Sequence, residues 1–309
     1  MSKVFGIDVS RWQGNFDFKR AAAEGVKFVV LRGAYSAPFT KDGGKDVRFE
    51  QHYKNAKAAG LPVGVFQYSM ARNAAQAVEE ARYLYSNCLA GKQFELPIYI
   101  DIEDPVQKKL SKRTNTDIVK AWCSYLEERG YFVGVYSFKS FFDSYLYDSE
   151  LKHYTHWVAQ WANACTYKPE SLVGMWQFGG ETNTIRTNKV AGVTCDQNYM
   201  YRDFPAEIKK LGLNGYTKEE VKISMGEITG INTSRGTNAL VLITDGRATT
   251  GFNKWGVDVI INGKGIITQI VDGKANTPIP KGCICLSGHN NAGWYLKQHC
   301  KVGARLKIG

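Results

Sequence analysis

Short apolar, β-branched runs alternate with helical patterns along the first half of the chain. A glycine follows the helical pattern in "AAGLPVG" (58–64) and in "ERGYFVG" (128–134), which marks a helix end just before the next strand. A strand–helix repeat of this kind predicts a parallel sheet. The apolar runs cover residues 4–9, 28–31, 63–68, 98–102 and 132–136, and the helical patterns lie around residues 46–59, 74–90 and 115–129.

The pattern changes after residue 147, where the helices become rare. Further strands are predicted at residues 157–160, 175–178 and 193–196, with only loops between them. Eight strands would close a barrel, so the predicted fold class is α/β, an irregular (β/α) barrel with eight strands over residues 1–205.

The last third of the chain has a different pattern. A charged segment with Pro and Gly predicts a linker over residues 206–222. A smaller, mainly-β domain is predicted over residues 223–309, with a hairpin at "INGKG" (261–265). Its predicted strands are "ALVLITDG", "GVDVIINGKG", "GIITQIV" and "GCICLSG".

Composition agrees with two packed domains in 309 residues, because 44% of the residues are hydrophobic and 13% are aromatic. No apolar run is long enough for a signal peptide or a membrane span, so we expect no membrane insertion and a cytoplasmic location until some other route releases the protein. The seven cysteines form no CxxC pair and are expected to be free thiols, with no zinc site and no disulfide framework.

The net charge of +11 is concentrated in the tail. Residues 216–309 carry 12 Lys+Arg against 6 Asp+Glu. No nucleic-acid-binding motif accompanies this charge and the basic residues are dispersed, so nucleic acid is not expected as a partner. Dispersed positive charge suits an anionic polymer, and a solvated surface with excess lysine is the simpler reading.

Carboxylates stand at the ends of three predicted strands. "LPIYIDIEDP" (96–105) is a buried strand that closes on acids, of which Asp101 and Glu103 share one face with Cα atoms about 6.6 Å apart. Asp8 ends the first strand, in "FGIDVS", and Asp196 ends the eighth, in "VTCDQN". In a (β/α) barrel these ends meet at one mouth, where mutual repulsion should raise at least one pKa.

Single acids after strands often cap helices or form turns, and Asp8 and Asp104 are open to that reading. A paired cluster favours either a hard metal ion or glycoside hydrolysis. Aromatic residues near the strand ends favour a sugar-lined groove, since sugar rings stack on aromatic planes. These aromatic residues are Tyr35, Tyr68, Tyr99, Tyr136, Trp157, Trp161 and Trp176, together with Trp12, and part of them, Tyr99 above all, should be ordinary core.

An ordered series of motifs runs along the predicted barrel: "GIDVSRWQG", "YIDIED", "GVYS", "HWVAQW", "MWQF" and "VTCDQNYM". This series resembles the family 25 glycoside hydrolases, the lysozymes (N-acetylmuramidases) of bacteria and many phage endolysins. The resemblance covers about residues 1–205 and departs slightly at Thr194 and Cys195. It implies a barrel with five βα units followed by strands with few helices.

The resemblance implies roles for the acids. Glu103 would be the general acid, and Asp101 would orient a reacting group and hold the pKa of Glu103 up by repulsion. Asp8 and Asp196 occupy the other two acidic positions, and one of them would stabilise the oxocarbenium-like centre or position a nucleophile. No cofactor or metal is implied. The expected substrate contacts are Tyr68, Tyr136, Trp157 and Gln177 by matching, and Tyr35 and Trp176 by their position near strand ends.

The implied reaction is hydrolysis of the β-1,4 bond between N-acetylmuramic acid and N-acetylglucosamine in peptidoglycan. A phage endolysin held in the host cytoplasm until release to the wall fits the sequence, with a bacterial autolysin or a non-catalytic glycan-binding barrel as alternatives. The DxxDxDxE spacing of chitinases is absent from "YIDIED".

The tail is expected to bind the cell wall, including an anionic secondary wall polymer, through residues 223–309. Its charge and the residues Trp255, His289, Trp294 and Tyr295 suit that role. A second catalytic domain, suggested by "SGHNNAGW" (287–294) and "NTSRGTN" (232–238), and a structural or dimerising domain stay open as alternatives, as does the oligomeric state.

Overall fold

The structure is a computed structural model that describes residues 3–36, 38–39 and 43–217 and, beyond them, the backbone of five strands. The chain divides into two compact units, Met1–Glu219 and Glu220–Gly309. Each unit is described by itself below.

The first unit contains eleven of the described strands and six α-helices. Eight of these strands form a closed barrel, and the short strands β3, β9 and β10 stand outside it. The strands are β1 (Val4–Val9), β2 (Val29–Tyr35), β3 (Gly44–Lys45), β4 (Val63–Tyr68), β5 (Ile98–Asp101), β6 (Val133–Phe138), β7 (Thr155–Ala159), β8 (Val173–Gly179), β9 (Lys189–Val190), β10 (Val193–Thr194) and β11 (Asp196–Met200). The helices are α1 (Phe18–Ala23), α2 (Phe49–Ala58), α3 (Ala74–Leu84), α4 (Lys112–Glu127), α5 (Lys139–Tyr145) and α6 (Phe204–Leu211).

Seven of the barrel strands are parallel neighbours, in the order β1, β2, β4, β5, β6, β7 and β8. The eighth, β11, runs antiparallel between β8 and β1 and closes the barrel. The eight-stranded α/β barrel predicted from the sequence is therefore confirmed.

The direction and start of the last strand differ from the prediction. Residues 189–194, which include the first two residues of the predicted strand (193–196), form the hairpin β9–β10, and the barrel strand begins at Asp196. A parallel last strand would need a long crossover, usually through a helix, and the segment between β8 and β11 has only this hairpin. Asp196 nevertheless reaches the predicted mouth, because the first residue of an antiparallel strand lies beside the last residues of its neighbours.

Side chains alternate between the barrel interior and the outer layer. Interior positions form one apolar cluster that includes Val30, Tyr99, Trp157 and Met175, whereas Val29, Leu31 and Ile98 pack outward against the helices. Tyr99 is fully buried inside, as predicted. The barrel interior below the mouth is therefore filled with packed side chains.

Helix α6 closes the amino-terminal end of the barrel. Phe204 and Ile208 are completely buried in the interior cluster, and Phe204 packs on Phe132 with ring centroids 5.7 Å apart. Asp203 caps the helix through a hydrogen bond from the N–H of Ala206. Residues 206–216, predicted as part of a linker, thus belong to the barrel. Charged residues on the exposed side of α6 gave the segment the composition of a linker.

In the second unit, the structure describes strands β12 (Ile243–Thr244), β13 (Arg247–Ala248), β14 (Gly256–Asn262), β15 (Ile267–Gly273) and β16 (Cys283–His289). Strands β15, β14 and β16 form an antiparallel sheet in that order. Strands β14 and β15, which pair antiparallel, flank the predicted hairpin at residues 261–265, of which residues 263–265 lie outside the described residues. Trp255, Trp294 and Tyr295, the motif "NTSRGTN" and the side chain of His289 lie outside the described residues.

Two further predictions concern the described part of the chain. Cys88, Cys123, Cys165 and Cys195 are free thiols. Helices in the described residues are too short or too polar to cross a bilayer.

Candidate active site

Four carboxyl groups lie in one cleft at the barrel mouth. Asp8 stands on β1, Asp101 ends β5, Glu103 follows two residues later, and Asp196 begins β11. The cleft has a volume of about 240 Å³ and all four acids line it. The convergence predicted from the strand ends is thus present.

Asp8 lies at the centre of a hydrogen-bonded network. Its Oδ2 accepts hydrogen bonds from Gln177 Nε2 (3.1 Å) and from Asn198 Nδ2 (2.9 Å). Burial raises the pKa of Asp8 to about 6, and the two amide donors oppose that rise because they stabilise the carboxylate. Asp8 is therefore a buried acid whose neighbours favour its ionised form.

Both amides are held in one orientation by aromatic donors. Gln177 Oε1 accepts from the hydroxyl of Tyr136 (3.1 Å) and from Trp161 Nε1 (3.0 Å), and Asn198 Oδ1 accepts from Trp157 Nε1 (2.8 Å). Since each amide oxygen already accepts an indole or phenol proton, each amide nitrogen points at Asp8.

Asp101 and Glu103 lack such partners. Asp101 Oδ1 and Glu103 Oε2 are buried and accept no hydrogen bond from the residues that the structure describes. Burial, then the charges of Glu103 and Asp8, raise the pKa of Asp101 well above its usual value. Burial and the charge of Asp8 raise the pKa of Glu103 to about 7. Unpaired buried acceptors are costly, and functional sites are where proteins retain them.

The source of the repulsion on Glu103 differs from the expectation. Asp8, and to a smaller extent Asp104, raise the pKa of Glu103, whereas Asp101 was expected to do so. The repulsion between these two acids instead raises the pKa of Asp101, for which the charge of Glu103 is the largest cause after burial. The strand also ends at Asp101, although the N–H of Ile102 still donates to the carbonyl of Tyr136, so the extended chain continues to Glu103.

Asp196 faces Asp8 across the barrel seam. The two residues are direct partners in the antiparallel pairing of β11 with β1. Burial, then the charges of Asp8 and Glu103, raise the pKa of Asp196 to about 8. Gly180 packs against this carboxyl group so closely that a Cβ there would stand 2.1 Å from Asp196 Oδ1 and 2.7 Å from the ring of Trp161.

Tyr68 forms one wall of the cleft and is tied to the loop after β5. Its hydroxyl donates to Asp104 Oδ2 (2.9 Å), and Asp104 Oδ1 accepts from the N–H of Val106 (2.8 Å). Asp104 is therefore a turn residue. Tyr35 stacks on Tyr68 with centroids 5.0 Å apart and supports it from behind, outside the residues that line the cleft.

Tyr136, Trp157 and Gln177 line the cleft, as predicted. Trp157 is almost completely buried, and its ring packs against Tyr136 with centroids 4.5 Å apart. It forms the floor of the cleft, beneath the acids.

Trp176 is not part of the cleft, contrary to the prediction. Gln177 points into the barrel, so Trp176 and Phe178 point outward by strand alternation. The indole of Trp176 is buried in the outer layer against Phe178 and Tyr199, and its Nε1 donates to the carbonyl of Gln160 (2.8 Å).

Two polar residues of the site were missed in the sequence, and the first of them, Asn198, binds Asp8 without lining the cleft itself. Asn198 lies two residues after Asp196 and shares its face of β11, a spacing that could have indicated it. Arg32 lines the cleft from β2, and its Nε donates to the buried carboxylate of Asp46 (2.8 Å). Asp46 follows a loop, and no local pattern links it to Arg32.

The arrangement is suited to acid–base chemistry. Hydrogen bonds favour the ionised form of Asp8, whereas Glu103 holds a proton near neutral pH. Glycosidic cleavage requires this division of roles between two acids. Within the described residues, no group of three or more His, Cys, Asp or Glu side chains is arranged to hold a metal ion.

Comparison with known proteins agrees with this geometry. The chain is 26% identical over 181 residues to the autolytic lysozyme of Clostridium acetobutylicum, a match that covers 58% of this chain and 52% of the relative. It is 25% identical over 200 residues to lysozyme M1 of Streptomyces globisporus, with 62% of this chain and 66% of the relative covered. The chain thus spans between half and two thirds of the length of these relatives.

The fold has solved counterparts. The bacterial lysozyme from Streptomyces coelicolor superposes with a TM-score of 0.56 at 24% identity, which covers 70% of this chain and 100% of that chain. The family model described as glycosyl hydrolases family 25 matches residues 7–186, more than half of the chain. The chain therefore belongs to glycosyl hydrolase family 25.

Proposed function

We propose that this protein is a peptidoglycan hydrolase that cleaves the β-1,4 bond between N-acetylmuramic acid and N-acetylglucosamine. The observation that carries the proposal is the contrast between two acids in one cleft. Asp8 accepts two amide N–H groups, whereas Glu103 has a buried oxygen without a partner among the described residues and a pKa of about 7. The membership of family 25 and the lysozymes among its relatives support the same reaction.

Glu103 is the general acid in this proposal. Its proton passes to the glycosidic oxygen as the bond to the sugar breaks, and the leaving sugar departs as an alcohol. Asp8 is the ionised group that stabilises the positive charge on the sugar ring, and a water molecule then adds to the anomeric carbon and gives up a proton to the carboxylate of Glu103, which restores the acid. Asp196, with a pKa of about 8, holds a proton at neutral pH and donates a hydrogen bond to a sugar oxygen or to the acetamido carbonyl, and Asp101, whose pKa is raised by burial, has the same role in this proposal.

Aromatic side chains bind the substrate in this proposal. Tyr68 and Tyr136 present ring faces and hydroxyls to the sugars from two walls of the cleft, and Trp157 forms the floor. Gln177 has a positioning role, because its side chain forms hydrogen bonds with Asp8, Tyr136 and Trp161.

The test is digestion of purified Gram-positive peptidoglycan, reduction of the new ends with borohydride and mass spectrometry of the products. Wild type should release fragments with muramitol ends. Glu103→Gln should lose at least about 100-fold of the rate, because the amide has no proton to transfer. Glu79→Gln, which changes an exposed glutamate on α3, is the matched control and should retain the activity. Glucosaminitol ends, or equal rates for wild type and Glu103→Gln, would contradict the proposal.

We further propose that residues 223–309 bind the wall of Gram-positive bacteria through an anionic polymer. The dispersed positive charge of this region supports the proposal. Glu103→Gln at full length should sediment with purified walls, and binding should weaken as salt rises and after extraction of the teichoic acids. Binding that neither salt nor extraction changes would contradict it. The phage origin and the cytoplasmic location before release stay predictions.

A further inference from the structure

Trp12 is the most exposed aromatic side chain among the described residues, with 73% of its surface accessible. Single exposed apolar residues are common on protein surfaces, so exposure alone indicates nothing. Trp12, however, lies on the wall of the acidic cleft, four residues after Asp8.

The turn that carries Trp12 is fixed by a local capping box and by hydrogen bonds to two other segments of the chain. Ser10 and Gln13 form a capping box, in which Ser10 Oγ accepts from the N–H of Trp12 and Gln13 Oε1 accepts from the N–H of Ser10. The N–H of Arg11 donates to Asp46 Oδ2 (3.0 Å), and Gln13 Nε2 donates to the carbonyl of Thr194 (3.3 Å). The indole is therefore presented on a backbone anchored to both neighbouring segments of the mouth.

One face of the indole is already covered. The guanidinium of Arg11 lies 4.8 Å from the centre of the ring. A cation over one face holds the ring in place and leaves the opposite face for a ligand. A rigid, half-covered indole suits a pyranose ring, because the axial C–H face of a sugar packs on an aromatic plane and little side-chain entropy is lost on binding.

The order of the strands locates Trp12 relative to the acids. Asp8, Asp196 and the turn of Trp12 share the β1–β11 side of the mouth, and Glu103 follows the end of β5, which is three strands away from β1 around the barrel. A glycan strand held between these sides would continue past Asp8 toward Trp12. We infer that Trp12 is a binding platform for a sugar residue of the glycan strand outside the bond that is cut. The inference rests on the proposed function for its substrate class, a chain of alternating N-acetylated amino sugars.

The test is cleavage of purified peptidoglycan glycan chains of four, six and eight sugars by the full-length protein. In the wild type, kcat/KM should rise with chain length. In Trp12→Ala, the ratio of kcat/KM between the longest and the shortest chain should fall by about tenfold. The change should appear in KM, because the lost contact affects the longer chains more than the shortest. Trp12→Phe should restore most of it. A purely structural role of Trp12 would lower kcat/KM equally at every length.

Tyr147→Ala is the matched control. Tyr147 is likewise an exposed aromatic residue with an arginine, Arg113, 5.0 Å from its ring, and it does not line the cleft. This variant should follow the wild type at all lengths. The same length dependence in Trp12→Ala and wild type would overturn the inference.

A binding measurement separates this inference from the proposed function. Calorimetric titration of Glu103→Gln and of Glu103→Gln/Trp12→Ala with the eight-sugar chain reports binding without cleavage. Weaker binding in the double variant would support the platform even if the wild type cuts no chain, a result that would overturn only the proposed reaction. Equal affinity, or no binding by either variant, would overturn the platform.

Discussion

At the scale of single residues, the four carboxyl groups of one cleft differ in pKa. Asp8 has a pKa of about 6, Glu103 of about 7 and Asp196 of about 8, and the pKa of Asp101 is raised well above its usual value. Burial is the largest cause for each of them. The amide donors separate Asp8 from the other three acids, because Asp8 alone among them has side-chain hydrogen bonds that lower its pKa, whereas Arg32 lowers that of Asp101 and Lys108 that of Glu103 only through charge.

These values predict a bell-shaped pH profile. Activity should rise as pH increases through about 6, where Asp8 loses its proton, and fall as pH increases through about 7, where Glu103 loses the proton that it must donate. The measurement is kcat/KM against pH on soluble glycan chains.

A variant of Asn198 tests the cause of the acidic limb. Asn198→Ala removes one N–H donor from Asp8, so the pKa of Asp8 should rise and the rising limb should move to higher pH while the falling limb stays. Activity at pH 6 should drop several-fold. Equal movement of both limbs would show that Asn198 does not act through Asp8.

Gly180 provides a steric prediction. Gly180→Ala should reduce activity by about 10- to 100-fold with little loss of stability, because a Cβ at 2.1 Å from Asp196 Oδ1 forces that carboxyl group to move. Gly44→Ala is the control, since its Cβ would meet only the hydroxyl of Tyr83 at 3.5 Å. Activity assays and thermal melts of both variants check this, and wild-type activity in Gly180→Ala would show that the position of Asp196 is unimportant.

At the scale of elements, the end of the barrel opposite the cleft depends on one residue after α6. Asn214 is completely buried with φ +55°, a conformation that asparagine tolerates better than most residues. Its Nδ2 donates to the carbonyl of Leu96 (2.8 Å) and its Oδ1 accepts from the N–H of Phe132 (2.7 Å). It therefore joins the chain after α6 to the starts of β5 and β6.

Asn214→Ala should lower the free energy of unfolding by about 3 kcal/mol, because two buried backbone groups lose their partners and alanine is strained at positive φ. Asn214→Gly removes the hydrogen bonds without the strain and should cost less. Urea denaturation of the three proteins measures both contributions. A loss below 1 kcal/mol in Asn214→Ala would mean that water replaces the side chain.

At the scale of the whole molecule, the buried acids make stability depend on pH. Glu80 is completely buried outside the cleft, where its Oε1 accepts from the N–H of Met70 (2.9 Å) and burial raises its pKa to about 7. A folded-state pKa above the unfolded value means that the folded state holds more protons, so stability is lost as pH rises. Glu80 and the acids of the cleft therefore favour folding at mildly acidic pH, whereas the lowered pKa values of His52 and of carboxyl groups such as Glu95 and Asp148 act in the opposite direction.

The stability of Glu80→Gln should vary less with pH than that of the wild type. Between pH 4.5 and pH 8 the wild type should lose about 3 kcal/mol relative to the variant, which is the effect of a pKa moved from 4.5 to about 7. Urea denaturation at both pH values measures the difference. Glu79→Gln, on the exposed side of the same helix, should show the wild-type pH dependence, and a parallel loss in Glu80→Gln would exclude Glu80 as the source.

The sequence by itself determined the barrel, its parallel strands and the acids at the mouth. These features follow from local regularities: the alternation of apolar runs with helical patterns, the glycines that end helices, and carboxylates placed where a buried strand stops. Asp101 and Glu103 could be identified from the sequence because the pattern that indicates them lies within a few neighbouring residues of one extended segment.

Only the tertiary structure decided the features that depend on residues distant in the chain. The antiparallel direction of β11 follows from how the chain returns after β8, and the order of the pKa values follows from Asn198 and Gln177, which lie 190 and 169 residues from Asp8. The outward position of Trp176 depends on the register of β8, and the attachment of residues 206–216 depends on hydrogen bonds from Asn214 to β5 and β6. The pKa of a side chain and its packing depend on its neighbours in three dimensions. For these residues, the neighbouring sequence does not indicate which residues those neighbours are.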